Sequence, residues 1–225
     1  MEIKLRFAPG EEARRVKVKE GSTIEDLLAD FRSELPYDVY AARLDNCVVS
    51  LSASIEKECE IVFLDLRDYS GNQAYQNSVV ALYIAAIYEE LPMAEVIIAN
   101  SLNKGIFTEV RLRRSISDAK LAAIERTMRR FVERNMPLSK LKLNSNSNSN
   151  SSLTVPSTGY IKYFALKRYR RGIVIQIPEQ TCPDKLPEYR EDTKLYIAFS
   201  RTAKWNKMLG ISDLEDLNEL IETDN

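Results

Sequence analysis

Residues 144–152 read NSNSNSNSS, a run that offers nothing to a core and sets no fixed backbone conformation. Any core must be assembled from the segments on either side of it. Directly after it comes LTVPSTGYIKYFALKRYRRG (153–172), dense in aromatic and basic residues. The tract is either a tether for a nucleic-acid arm or an inert strap joining two halves of one folded domain, and the patterning elsewhere decides between them.

EIKLRF (2–7) and RRVKVK (14–19) alternate apolar and polar residues, the period of a half-buried strand. Ser22-Thr-Ile-Glu25 fits a capping box, and Ile24, Leu27, Leu28 and Phe31 give the helix behind it an apolar stripe. YAARLD (40–45), NCVVSL (46–51) and EIVFLDL (60–66) read as further strands. Residues 77–91, NSVVALYIAAIYEEL, form a strongly apolar helix with Asn77 as its N-cap and Pro92 just past its end. AEVIIA (94–99) and GIFTEVRL (105–112) make a strand pair, and a long amphipathic helix runs from Ser117 with Leu121, Ile124, Met128, Phe131 and Val132 inward. Beyond the tract, YIKYFAL (160–166) and GIVIQIP (172–178) pair as strands, which puts Lys167, Arg168, Arg170 and Arg171 on the turn between them. Helices are expected over 193–209, with Trp205 on its stripe, and from Ser212 onward. This order is α+β in two domains, 1–67 and 68–221, the second interrupted at 144–152, and the tract becomes a strap within one domain.

Composition narrows the chemistry. With 32 basic and 33 acidic residues the net charge is −1, which argues against a broad basic coat for nucleic acid while leaving room for a local patch. There is no histidine, so no Ser-His or Cys-His dyad exists. The three cysteines, Cys47, Cys59 and Cys182, have no metal-ligand spacing and read as reduced thiols, and no GxxxxGK[ST] phosphate loop occurs. No metal and no cofactor are expected in this chain. A self-sufficient enzyme is disfavoured; Glu109 beside Thr108 is the one spot for a residual hydrolase. No apolar run reaches the roughly 20 residues of a membrane span, and the first residues lack the apolar core of a signal peptide. The expected location is cytoplasmic.

EGSTIEDLL, LDNCVVSLSASI and EIVFLDL resemble the TGS domain, which implies a ubiquitin-like β-grasp fold for 1–67. NSVVALYIAAIYEELP, NSLNKGIFTEVRL and IERTMRRFVERNMP resemble the domain that follows TGS in threonyl-tRNA synthetase and hydrolyses mischarged tRNA. In that family the helix carries two histidines four residues apart, and a Cys-x-x-x-His precedes a Val-Pro. Here those positions are Asn77, Ala81, a residue near Asn150, and Thr154 before Val155-Pro156, so the resemblance implies an editing-like α+β domain without editing chemistry.

The runs VPSTGYIKYFALKRYRRGIVIQIP and KLPEYREDTKLYIAFSRTAKWNKMLGISDLEDLNELI resemble uridine kinase-like proteins of the phosphoribulokinase/uridine kinase family, which carry such domains before a kinase. That resemblance implies a non-catalytic ligand-binding or regulatory region, with ATP, Mg and phosphoryl transfer confined to a downstream kinase domain. That family has a longer segment where the Asn/Ser tract stands. The tract reads as an engineered replacement, as a placeholder for unassigned residues, or as natural low complexity.

Two functions follow as expectations. A ligand-sensing module would hold a nucleoside, nucleotide or RNA between the Asn77 helix and the 160–166 strand, with Lys162, Arg168 and Arg111 as anion contacts and Tyr163 for stacking. An RNA-binding accessory module would instead use Arg111, Arg113, Arg114, Arg129, Arg130 and the Lys167–Arg171 turn, against repulsion from the acidic end DLEDLNELIETD. A purely structural or dimerising spacer would bind neither.

Overall fold

The computed structural model describes residues 1–102, 104–112, 116–141, 153–170 and 172–191, together with positions 197 and 201. Contacts divide the chain into two units, Met1–Glu188 and Tyr189–Asn225. The helices expected over 193–209 and from Ser212, and Trp205 with them, lie outside the described residues apart from positions 197 and 201.

Within the first unit, β1 (Glu2–Arg6), β2 (Arg14–Lys17), β3 (Val39–Leu44), β4 (Cys47–Val49) and β5 (Glu60–Asp65) form one sheet in the order β2-β1-β5-β3-β4. The β1–β5 pair is parallel and the others antiparallel. Helix α1 (Ile24–Phe31) covers one face, where Ile3, Leu5, Ile24, Leu27, Leu28, Ile61 and Phe63 make a core. Five of the six β5 residues are buried, because a second helix closes the opposite face. That helix is α2 (Tyr69–Glu90), and it packs on Tyr40, Val62 and Leu64.

A second sheet joins β6 (Glu95–Leu102), β7 (Gly105–Arg111), β8 (Ala165–Tyr169) and β9 (Gly172–Gln176) in the order β6-β7-β9-β8, antiparallel throughout. One of its faces packs on α2 and on α3 (Asp118–Glu133), which Ser117 caps by accepting from the Lys120 amide. Buried Tyr83 and Thr108 tie helix to sheet through a 2.7 Å hydroxyl pair, and Thr108 also donates to the carbonyl of Ile173. Because β9 lies between β7 and β8, residues on both sides of the Asn/Ser tract enter one sheet. The α+β class is as expected, and among the described residues it comprises two sheets and three α-helices.

Three local expectations are corrected. The first capping box is Thr23 with Asp26, one residue later than Ser22 with Glu25. Pairing sets that register: the Ser22 carbonyl accepts from Ile55, and the Ile24 and Glu25 amides donate to Ala53 and Leu51. Helix α2 starts at Tyr69, with Asp68 accepting from the Ser70 and Gly71 amides, so Asn77 is interior and not a cap. Gly71 reads as a breaker in sequence, yet a β-carbon there would lie 2.1 Å from the Asp65 carbonyl oxygen. Its small size is what lets α2 lie against the end of β5.

The expected strand 160–166 is displaced to 165–169. Residues 158–160 form a short 3-10 turn, and the Tyr163 amide and carbonyl are both occupied by the Tyr75 hydroxyl, at 2.9 and 2.8 Å. The ladder therefore begins at Ala165, opposite Gln176. Lys167 and Arg168 sit on β8 itself; Arg170 makes the turn with φ of 52°, and Arg171 lies outside the described residues.

Candidate functional site

Helix α2 and the segment leaving the Asn/Ser tract meet side by side. Asn77 Nδ2 donates to the carbonyl of Leu153 at 3.0 Å. One residue along, the Val155 amide donates to Ser78 Oγ at 2.9 Å, while Ser78 donates to the Ala74 carbonyl one turn back. From the first sheet, Ser50 Oγ donates to the Thr154 carbonyl at 3.1 Å. Tertiary structure thus brings Asn77 to the backbone that carries Thr154, with Ala81 one turn further along α2. The position near Asn150 is outside the described residues. The side chains present are an amide, a methyl and a hydroxyl, none of which is a base near neutral pH.

Beside this junction lies a groove of about 760 Å³. Tyr69, Asn72, Gln76 and Val80 follow one another along one face of α2 and form one wall, flanked by Asn77. Residues 98, 99 and 101 of β6, Lys104, the start of β7 at Gly105 and Ile106, and residues 177–181 form the rest. Apolar side chains supply the floor, and Lys104 and Glu179 join across the rim in a 2.8 Å ion pair.

The five residues singled out from sequence do not converge. Asn77 alone lines this groove. Lys162 Nζ pairs with Asp38 at 2.6 Å, and Asp38 also takes Arg32 at 2.5 Å. Tyr163, Arg32 and Asp38 line a separate pocket of about 180 Å³. Arg168 pairs with Asp118 at 3.2 Å and Arg111 with Glu95 at 3.5 Å, both on the second sheet. The register puts Arg168 in line with Leu166 on the helix-covered side, and Arg111 in line with Glu109 on the other. Arg129 pairs with Glu125 and lies over the Phe164 ring, and Arg130 pairs with Glu89. The expected anion face is thus divided between the two sides of a sheet, and each of these four arginines has a carboxylate beside it. Arg113 and Arg114 lie outside the described residues.

Tyr69, Asn72 and Gln76 escape the sequence reading because it starts the helix only at Asn77, and Lys104 and Glu179 are far apart in the chain and meet only in the fold. Once α2 starts at Tyr69, the i, i+3, i+7 spacing of the first three is visible in the sequence itself. Among the described residues no cluster of three or more Cys, Asp or Glu suited to a metal ion occurs, and no helix is long and apolar enough to cross a membrane.

No family model matches the chain. Similarity to curated proteins falls on threonine–tRNA ligases. That of Symbiobacterium thermophilum is 26% identical over 119 residues, covering 53% of this chain and 18% of the ligase. This chain is distantly homologous to threonyl-tRNA synthetase. The enzyme from Azoarcus sp. (strain BH72) is 28% identical over 118 residues, 52% of this chain and 18% of its own length. That of Laribacter hongkongensis is 23% identical over 171 residues, 75% of this chain and 25% of the ligase. The matched stretch is therefore a quarter or less of these relatives. The homology fits the expected order of a TGS-like followed by an editing-like domain. None of these three relatives is a kinase.

Proposed function

We propose that this chain is a non-catalytic accessory module related to threonyl-tRNA synthetase that binds RNA. The observation that carries the reading is the junction of α2 with the 153–155 segment. Asn77 and the Thr154 backbone come together there, in a chain homologous to enzymes named for charging tRNA, while the side chains lack any group that activates water. Surface charge is compatible with weak backbone binding. Arg111 and Arg168 are paired to carboxylates that are themselves 64% and 83% exposed. Such pairs are worth roughly 0–1 kcal/mol, so a phosphate can displace the carboxylate at little cost. The narrower reading, a regulatory region of a uridine kinase-like protein, has no comparable support.

The test is fluorescence anisotropy of a labelled tRNA across a salt series. The affinity is expected to fall with salt, and because Arg111 and Arg168 lie on opposite sides of the sheet, Arg111→Gln or Arg168→Gln, on the side the RNA meets, is expected to lower the log–log slope by about 1. A dissociation constant that does not move with salt would remove the RNA reading. In the same samples, hydrolysis of mischarged tRNA is expected at the uncatalysed rate; hydrolysis above the blank would instead reveal catalysis by a group other than histidine.

A further inference from the structure

The groove along α2 has a buried amide aimed into it. Asn72 is only 8% exposed, and its Oδ1 accepts from Gln76 Nε2 at 2.6 Å. That bond commits one polar atom of each amide. It leaves Asn72 Nδ2 as an unused donor and Gln76 Oε1 as an unused acceptor, side by side in the groove wall. Among the described residues no fully buried side-chain nitrogen or oxygen lacks a partner, so the Asn72 donor keeps access to the groove space.

Two further features define what fits. The charged lining residues are Lys104 and Glu179, which neutralise each other, so the groove carries no net charge. Glu179 is 34% exposed, against 64% and 83% for the carboxylates beside Arg111 and Arg168, so it stays on Lys104 and a phosphate brought in would lose water without gaining a free cation. Tyr69, 73% exposed, offers an aromatic face one turn from Asn72, and Val80, Ile106 and Ile177 add apolar lining. The volume lies in the ordinary range for small-molecule sites.

We propose that this groove binds a planar, uncharged heterocycle with neighbouring hydrogen-bond donor and acceptor atoms, a nucleobase in the form of the free base or nucleoside. Tyr69 stacks on the ring, Asn72 Nδ2 donates to it, and Gln76 Oε1 accepts from it. The site borders, through Asn77, the junction that carries the RNA reading, but it uses none of the surface cations that would meet RNA phosphates.

Isothermal titration of the full chain with adenosine, guanosine, cytidine and uridine, and with their monophosphates, tests it. At least one nucleoside is expected to bind, with its monophosphate about tenfold or more weaker. Tyr69→Ala is expected to weaken that nucleoside about tenfold while Tyr69→Phe does not, since the ring face is what stacks. Asn72→Asp keeps an acceptor for Gln76 but replaces the free donor by an acceptor, and it is expected to abolish binding, with the unfolding midpoint lowered because the new carboxylate is buried without a cation. Should that variant unfold, the exposed Tyr69 pair still decides. Absence of nucleoside binding, indifference to Tyr69→Ala, or a monophosphate binding as tightly as its nucleoside would each overturn the proposal. Unaltered tRNA affinity in Tyr69→Ala keeps the two readings separable.

Discussion

Replacing Thr158 by valine removes one hydroxyl at nearly constant shape, and the structure says what that hydroxyl holds. Thr158 is fully buried; its Oγ1 donates to the Phe131 carbonyl at 2.6 Å and accepts the Met136 amide at 2.9 Å. Both partners are backbone groups at the C-terminus of α3. The Asn135 amide turns back to Val132, so the Phe131 carbonyl is not taken by the helical donor four residues on. Valine therefore strands one donor and one acceptor. At about 1–3 kcal/mol for each buried group left unpaired, the expected loss is about 2–6 kcal/mol. For a domain of this size that corresponds to a fall in Tm of about 5–15 °C. Urea unfolding followed by circular dichroism measures it, with Thr158→Ser as the control. Serine keeps the hydroxyl and loses a methyl, so it is expected to cost about 1 kcal/mol. The reasoning is refuted if valine lies within about 0.5 kcal/mol of wild type, or if serine is as damaging as valine.

Gly71→Ala is expected to be destabilising by about 1–3 kcal/mol or more, because its β-carbon would meet the Asp65 carbonyl of β5 at 2.1 Å and neither backbone can yield without moving α2; thermal unfolding reads this directly. Glu90 accepts from Thr127 and Lys120, which hold its carboxyl below the ordinary value of 4.5. A depressed carboxyl contributes stability that is present above 4.5 and lost as the pH falls through the folded value. Glu90→Gln should accordingly flatten the acid limb of the stability–pH curve, and an unchanged limb would show that this carboxyl does not contribute there.

Much of the fold was legible because periodicity reports burial. The alternation in β1 and the 3–4 spacing in α1 and α3 each place one face in a core, and those faces are buried, with Phe31, Leu121 and Val132 only partly so. The start of α2 was illegible for an equally physical reason. Tyr69-Ser-Gly-Asn-Gln has the composition of a loop, and only the close approach of β5 explains a glycine inside a helix. Moving that boundary moved the site, because Tyr69, Asn72 and Gln76 line the groove as a stripe only when they are helical.

The sequence alone determined one limit on the chemistry. With no histidine in the chain, no arrangement of it supplies an imidazole. It also determined the class of fold, since apolar spacing is a local property. Which cations stand together, and which carboxylates answer them, was decided only in three dimensions. Lys162 meets Asp38 across 124 residues and Arg168 meets Asp118 across 50. Pairings of that span depend on how β8 enters the second sheet and on how the 153–164 segment lies between α2 and the first sheet. The register of β8 followed from one hydroxyl, that of Tyr75, holding both backbone groups of Tyr163. A contact between residues 88 positions apart leaves no periodic trace along the chain.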